Sequence, residues 1–141
     1  MGVTFIRDGL SGLVGALVMV GLWHVPRLWN EEGLDLSRVI VTKFLGFHAN
    51  SYSRLGLAAH LLVGFVPGVI YGSLFHPLPR SLEILNGLLY GLILWLVLMV
   101  VVLPAVGEGY FGVKLGRTAR ISSLLSHLVY GLILAGVYVL W

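Results

Sequence analysis

Apolar residues fall in four long blocks separated by short polar stretches. Gly9 to Pro26, between Asp8 and Arg27, is 18 residues without Asp, Glu, Lys or Arg. Leu55 to Pro79, Ile84 to Gly107 and Ile121 to Trp141 are equally free of them. Each block reaches the roughly 18–20 residues that a helix rising about 1.5 Å per residue needs to cross about 30 Å of hydrocarbon. A β-barrel would alternate apolar and polar positions, but Leu92 to Met99 is apolar throughout. The pattern predicts an all-α membrane protein with four transmembrane helices. The first block resembles a signal peptide only in position. One Arg and one Asp precede it, and Trp23, His24 and Pro26 stand where a small-residue cleavage site would lie. It reads as a retained helix.

Composition supports this class. Of the 141 residues 58% are hydrophobic and 11% charged, and the mean hydropathy is +0.97. A soluble domain carries about 25% charged residues, and one this short must show much of its surface to water. Soluble and disordered classes are therefore excluded, and the lipid bilayer is the expected surroundings. The absence of cysteine excludes disulfides, thiolate catalysis, iron–sulfur clusters and Cys-ligated zinc. The net charge of +3 is spread thinly between apolar blocks, which fits a topological role and no nucleic-acid partner. Arg27, Arg38, Lys43, Arg54, Lys114, Arg117 and Arg120 lie after the first and third blocks, against Arg7 and Arg80 on the other side. This bias places residues 27–54 and 108–120 in the cytoplasm and both termini outside.

Between the first two spans, Leu36, Val39, Ile40, Phe44 and Phe47 recur at helical spacing, with Arg38, Thr42 and Lys43 on the other face. Asp35 or Ser37 can cap this segment and Gly46 can end it. A short interfacial amphipathic helix is expected, either covering the bundle end or docking a partner.

Spans two and four share a motif. His60, Leu61, Gly64, Gly68 and Tyr71 match His127, Leu128, Gly131, Ala135 and Tyr138 at a constant offset of 67. The spacing i, i+4, i+8 and i+11 lies on one helix face. Spans one and three align more weakly at an offset of 79, with Gly12, Leu13, Leu17 and Val18 against Gly91, Leu92, Leu96 and Val97. These matches predict two duplicated helical hairpins, residues 1–80 and 81–141, about a pseudo-twofold axis along the membrane normal. The chain has 19 glycines, several in small-x-x-x-small steps such as Gly64, Gly68 and Gly72. They imply close helix packing within the bundle, or a face that meets another subunit or a flat ligand.

The H-L-x-x-G…Y motif, the Tyr90-Gly91-x-x-x-Trp95 step and the Pro104-x-x-Gly107-x-Gly109-x-Phe111-Gly112 turn carry a resemblance. The chain is similar to an uncharacterised family of small four-helix membrane proteins of bacteria and archaea, known only as a domain of unknown function. The resemblance covers nearly the whole chain. It implies the four-span topology and a prokaryotic cytoplasmic membrane, and no activity.

Ionisable residues inside spans are candidate sites. His60 lies six residues past Arg54 and His127 seven past Arg120. Both thus stand roughly 9–11 Å along helices that enter from the same side. Three readings compete. Each His hydrogen-bonds the bundle; or both Nε2 atoms hold haem b, with Gly64 and Gly131 making room for the ring; or the pair serves a metal, proton or quinone site, with Glu108 and His48 nearby. Gly68, Tyr71, Ala135 and Tyr138 complete the packing or ligand face. No metal is assigned, because no His pair has metal-ligand spacing. His24 and His76 read as interfacial, Trp23, Trp29 and Trp141 as belt residues, and Trp95 as core or a subunit contact. Glu108 is expected to pair with Arg117, Arg120 or a base of the first loop.

No Walker loop, G-x-S-x-G, H-E-x-x-H or dinucleotide fingerprint occurs, and a non-enzyme is expected. The leading expectation is an accessory subunit of a larger membrane complex of the electron-transfer type. The opposing one is a small oligomeric transporter or channel, with Pro67 as its helix break. The partners would be other membrane-protein subunits or further copies of the chain. The topology has a direct test. A cysteine introduced by Ser81→Cys should react with an impermeant reagent from outside, and Ser37→Cys should react only after the membrane is opened. The reverse pattern would invert the assignment.

Overall fold

A computed structural model describes residues 2–22, 39–44, 46, 54–75 and 79–140. Among these the secondary structure is entirely helical. Four long helices carry it: α1 (Gly2–Leu22), α2 (Arg54–Phe75), α3 (Glu83–Ala105) and α4 (Gly116–Leu140). All four are long and apolar enough to cross a membrane. Helix α3 has a π turn at Leu98–Val102, and α2 carries Pro67 inside it.

Burial runs opposite to that of a water-soluble bundle. Large apolar side chains face outward, among them Leu62, Ile84 and Val101. Asp8, Ser11, His60, Glu83, Asn86, Ser123, Ser126 and His127 are buried inside. Lipid would leave polar groups unsatisfied, so they turn inward; His60 and Glu83 find partners on other helices, and Ser11, Ser126 and His127 bond carbonyls of their own helix.

Helix α1 packs on α2, α3 on α4, and α1 also on α4, whereas the backbones of α2 and α3 stay apart. Both hairpins close through glycine. A Cβ on Gly12 would collide with the Gly64 carbonyl, and one on Gly68 would lie 2.8 Å from Gly12 Cα. In the second hairpin a Cβ on Gly87 would strike the Gly131 carbonyl, and one on Gly131 would lie 2.8 Å from the Gly87 carbonyl carbon. Only missing side chains allow this approach, and in lipid that close contact is the main source of helix attraction.

The glycine contacts of the two hairpins match. Gly64 meets Ala16 and Gly12; Gly131 meets Gly91 and Gly87. In contact terms Gly12 therefore corresponds to Gly87 and Ala16 to Gly91, an offset of 75. The offset of 79 expected for spans one and three is one helical turn too long. It pairs glycines that do different jobs. The corrected register also aligns Asp8 with Glu83 and Ser11 with Asn86, all four buried.

The correspondence fails at Gly15. At Gly15 on α1 the Tyr130 ring of α4 sits where a Cβ would be, so these helices lie close. The α3 residue in that register is Tyr90. Its bulk lies between α3 and α2 and holds their backbones apart. Side chains bridge the gap. The Tyr71 hydroxyl donates to Glu83 Oε1 at 2.6 Å, and the Tyr90 hydroxyl to the Pro67 carbonyl at 2.8 Å. The two rings pack with centroids 5.2 Å apart.

Leu98, Met99, Leu103 and Ala119 form a core cluster where α3 ends and α4 begins, with Val39 packed against it. Val41 is fully buried, and Gly46 adopts φ +69°. The expected amphipathic segment thus covers the bundle with its described part; residues 35–38, 45 and 47 lie outside the described residues. So do Trp23, His24, Trp29, His48, His76 and Trp141. Trp95 packs on this cluster and on the Phe111 ring. The turn after Pro104 is tight, with Gly107, Gly109 and Gly112 all at positive φ and Phe111 at φ +53°. Glu108 forms no ion pair with Arg117 or Arg120. In the same turn the Lys114 ammonium donates to the Gly107 carbonyl and the Lys114 N–H to the Glu108 carbonyl. Arg7 and Asp8 form an ion pair at 3.1 Å.

Gly64→Leu and Gly131→Leu should each destabilise the bundle by about 1–3 kcal/mol or more, because the Ala16 Cβ and Gly12 carbonyl at one site, and the Gly87 backbone at the other, cannot move aside for the new atoms. Gly136→Leu, which meets nothing within 4 Å, should stay within about 0.5 kcal/mol of wild type. Unfolding in mild detergent would measure all three; equal stability would place the two glycines on open surface.

Candidate functional site

His60 and His127 come together at one cavity. His60 is on α2 one turn before Gly64, so the close approach of α1 brings the Ala16 carbonyl within reach of its ring. The His60 Nε2–H donates to that carbonyl at 3.1 Å. His127 bonds within its own helix, Nδ1–H to the Ser123 carbonyl at 2.8 Å. A carbonyl only accepts, so each nitrogen facing one carries the proton. The two rings are 2% and 8% exposed, so neither faces lipid.

The cavity has a volume of about 410 Å³. Ala16 and Met19 of α1, Val63 and Pro67 of α2, Leu94, Val97, Leu98 and Val102 of α3, and Tyr130 of α4 line it with the two histidines and Gly64. Its walls are almost wholly apolar. Val63 and Val97 are 41% and 46% exposed, so its mouth lies between α2 and α3, where Tyr90 keeps the helices apart. Its size is that of a small-molecule pocket, roughly 300–1,000 Å³. In a bilayer it would open sideways towards the acyl chains. Beside the mouth α2 carries Pro67 and α3 has its π turn. The Tyr130 hydroxyl crosses behind it and donates to the Gly64 carbonyl at 2.5 Å.

Gly68, Tyr71, Gly131 and Ala135 do not line this space. Gly68 packs on Asp8 and Gly12 of α1, Gly131 on Gly87, and Ala135 on Gly87. Tyr71 is fully buried and bonded to Glu83. Tyr138 is on α4, and its side chain lies outside the described residues. The glycine faces therefore close their own hairpins and leave no slot for a flat ligand. Haem b held by both Nε2 atoms does not fit, since His60 Nε2 is bonded to Ala16 and the room at Gly64 and Gly131 is filled by neighbouring helices. Among the described residues no three His, Asp or Glu side chains gather as a metal-ligand set.

Sequence reasoning missed two groups. Asp8 and Glu83 mark span boundaries by charge, yet both are buried. The signal was their shared place, four residues before Gly12 and Gly87. Tyr90 and Tyr130 were missed as determinants of the cavity, because neither belongs to the repeated motif.

The histidines should differ in mutation. His60→Phe removes a bond between helices and should cost about 0.6–1.7 kcal/mol, the range seen for interhelical bonds in membranes. His127→Phe removes a bond within one helix and should cost less. Unfolding of both variants in the same detergent gives the comparison, and a larger loss for His127→Phe would contradict the bond assignment.

No curated protein and no solved structure significantly matches the chain. A family described as being of unknown function, DUF6789, matches over residues 5–141. That match spans all four helices, both histidines and the turn after Pro104, and the chain belongs to this family.

Proposed function

We propose that this chain is a non-catalytic integral membrane protein, an accessory subunit of a larger assembly of the electron-transfer type, and that it holds a lipophilic component in the cavity between α2 and α3. The lateral cavity with its two buried histidines is the observation that carries this reading. A molecule dissolved in the bilayer could enter between Val63 and Val97 without crossing a polar surface. The matched glycine contacts of the hairpins support a duplicated origin for residues 1–80 and 81–141, with one copy modified at Tyr90 to open the space. Residues 27–54 and 108–120 face the cytoplasm in this reading, and both termini face outward.

A small oligomeric transporter is the second reading. Pro67 and the π turn both flank the cavity, and interrupted helices around a mid-membrane site are a feature of transporters. Purification from native membranes in a gentle detergent separates the two. Co-elution with large, coloured partner proteins, together with a lipophile extractable into organic solvent, is the expected outcome. A colourless oligomer of this chain alone would favour transport and overturn the accessory role.

A further inference from the structure

The polar atoms on the cavity wall carry a chemical preference. Three of its lining residues carry N–H or O–H groups: His60, His127 and Tyr130. Every one of those protons is spent on a backbone carbonyl. His60 donates to Ala16, His127 to Ser123 and Tyr130 to Gly64. Neutral imidazole with one nitrogen protonated has an unprotonated acceptor as the other. Holding Nδ1 against its own helix turns the opposite edge of the His127 ring, with Nε2, away from that helix. Nε2 has no hydrogen-bond partner among the described residues. His127 Nε2 is thus an available acceptor, and these three side chains have no spare donor.

We propose that this cavity selects lipophiles that bring their own hydroxyl, which donates to His127 Nε2: a hydroquinone or a prenyl alcohol rather than a quinone. This rests on the reading of the cavity as a lipophile site. A hydroquinone places its O–H on the imidazole and its ring and tail on the apolar walls. A quinone presents only carbonyl acceptors, which would be buried without donors. Sites that hydrogen-bond a hydroxyl discriminate strongly against analogues lacking it, because buried polar groups are then left unpaired. Binding alone is proposed, with no electron transfer by the chain itself.

The test uses the full chain in lipid nanodiscs under argon, with empty discs subtracted. The probes are durohydroquinone, its oxidised form duroquinone, farnesol and the hydrocarbon farnesene, each measured by equilibrium partition. The expected result is at least about 10-fold tighter binding of a hydroxyl compound than of its partner without one, durohydroquinone over duroquinone or farnesol over farnesene. Whichever pair shows the preference identifies the source of the hydroxyl. His127→Phe should erase the preference while binding to the walls remains. Val63→Trp, which fills the mouth, should abolish binding of all four probes. Should His127→Phe fail to fold, the wild-type ratios alone still decide. Equal binding of both members of each pair, or tighter binding of duroquinone, would overturn the hydroxyl preference and leave the lipophile site standing. No binding of any probe would overturn both.

Discussion

Backbone contact between helices at glycine is the constraint from which the rest of this architecture follows. A bilayer is as apolar as leucine, so within one no solvent would drive these helices together, and attraction would come from close packing. Gly12 against Gly64 and Gly68, and Gly87 against Gly131, bring the axes of each hairpin near enough for main chains to touch. The placement of His60 depends on this. Its ring reaches a carbonyl of α1 only because Gly64, one turn on, lets Ala16 come so close. A bulkier residue at that turn would separate the helices and leave the imidazole without its partner.

The cavity follows from where the same device is missing. Gly15 admits the Tyr130 ring, and α1 and α4 lie together. Tyr90 in the matching register keeps α2 and α3 apart. The tyrosine also supplies a polar end, and its hydroxyl reaches the Pro67 carbonyl. One side chain thus spaces two helices and ties them. Two hairpins of nearly the same construction give an asymmetric bundle with one open side.

Much of this was legible before any coordinates. The four spans were readable because lipid demands long uncharged blocks, a signal of composition and length that tertiary context seldom overrides. His60 and His127 were readable as a pair because the 67-residue offset repeats a whole helix face. The register of spans one and three was not, because glycine recurs so often in this chain that a shift of one turn still aligns Gly with Gly. Contacts resolve it: Gly12 and Gly91 are both small but meet different atoms. The burial of Asp8 and Glu83 was hidden for another reason. A charge next to an apolar block reads as its solvated edge, and only the arrival of Tyr71 from α2 reveals the Glu83 carboxylate as an interior group. The cavity could not be foreseen, since it depends on which of two equivalent positions carries the large side chain.

The π turn at Leu98–Val102 gives α3 one residue more than a regular helix needs for the same rise. Upstream of it Tyr90 faces the α2 side and Gly91 faces α4; downstream Leu103 enters the cluster with Ala119. One residue accounts for about 100° of helical rotation. Losing it would leave each half of α3 well formed and point them in incompatible directions. The length of this helix is therefore fixed more firmly than most of its side chains. Among descendants of this sequence, exchange of one aliphatic residue for another along 98–102 should be common, and a gap there should be rare.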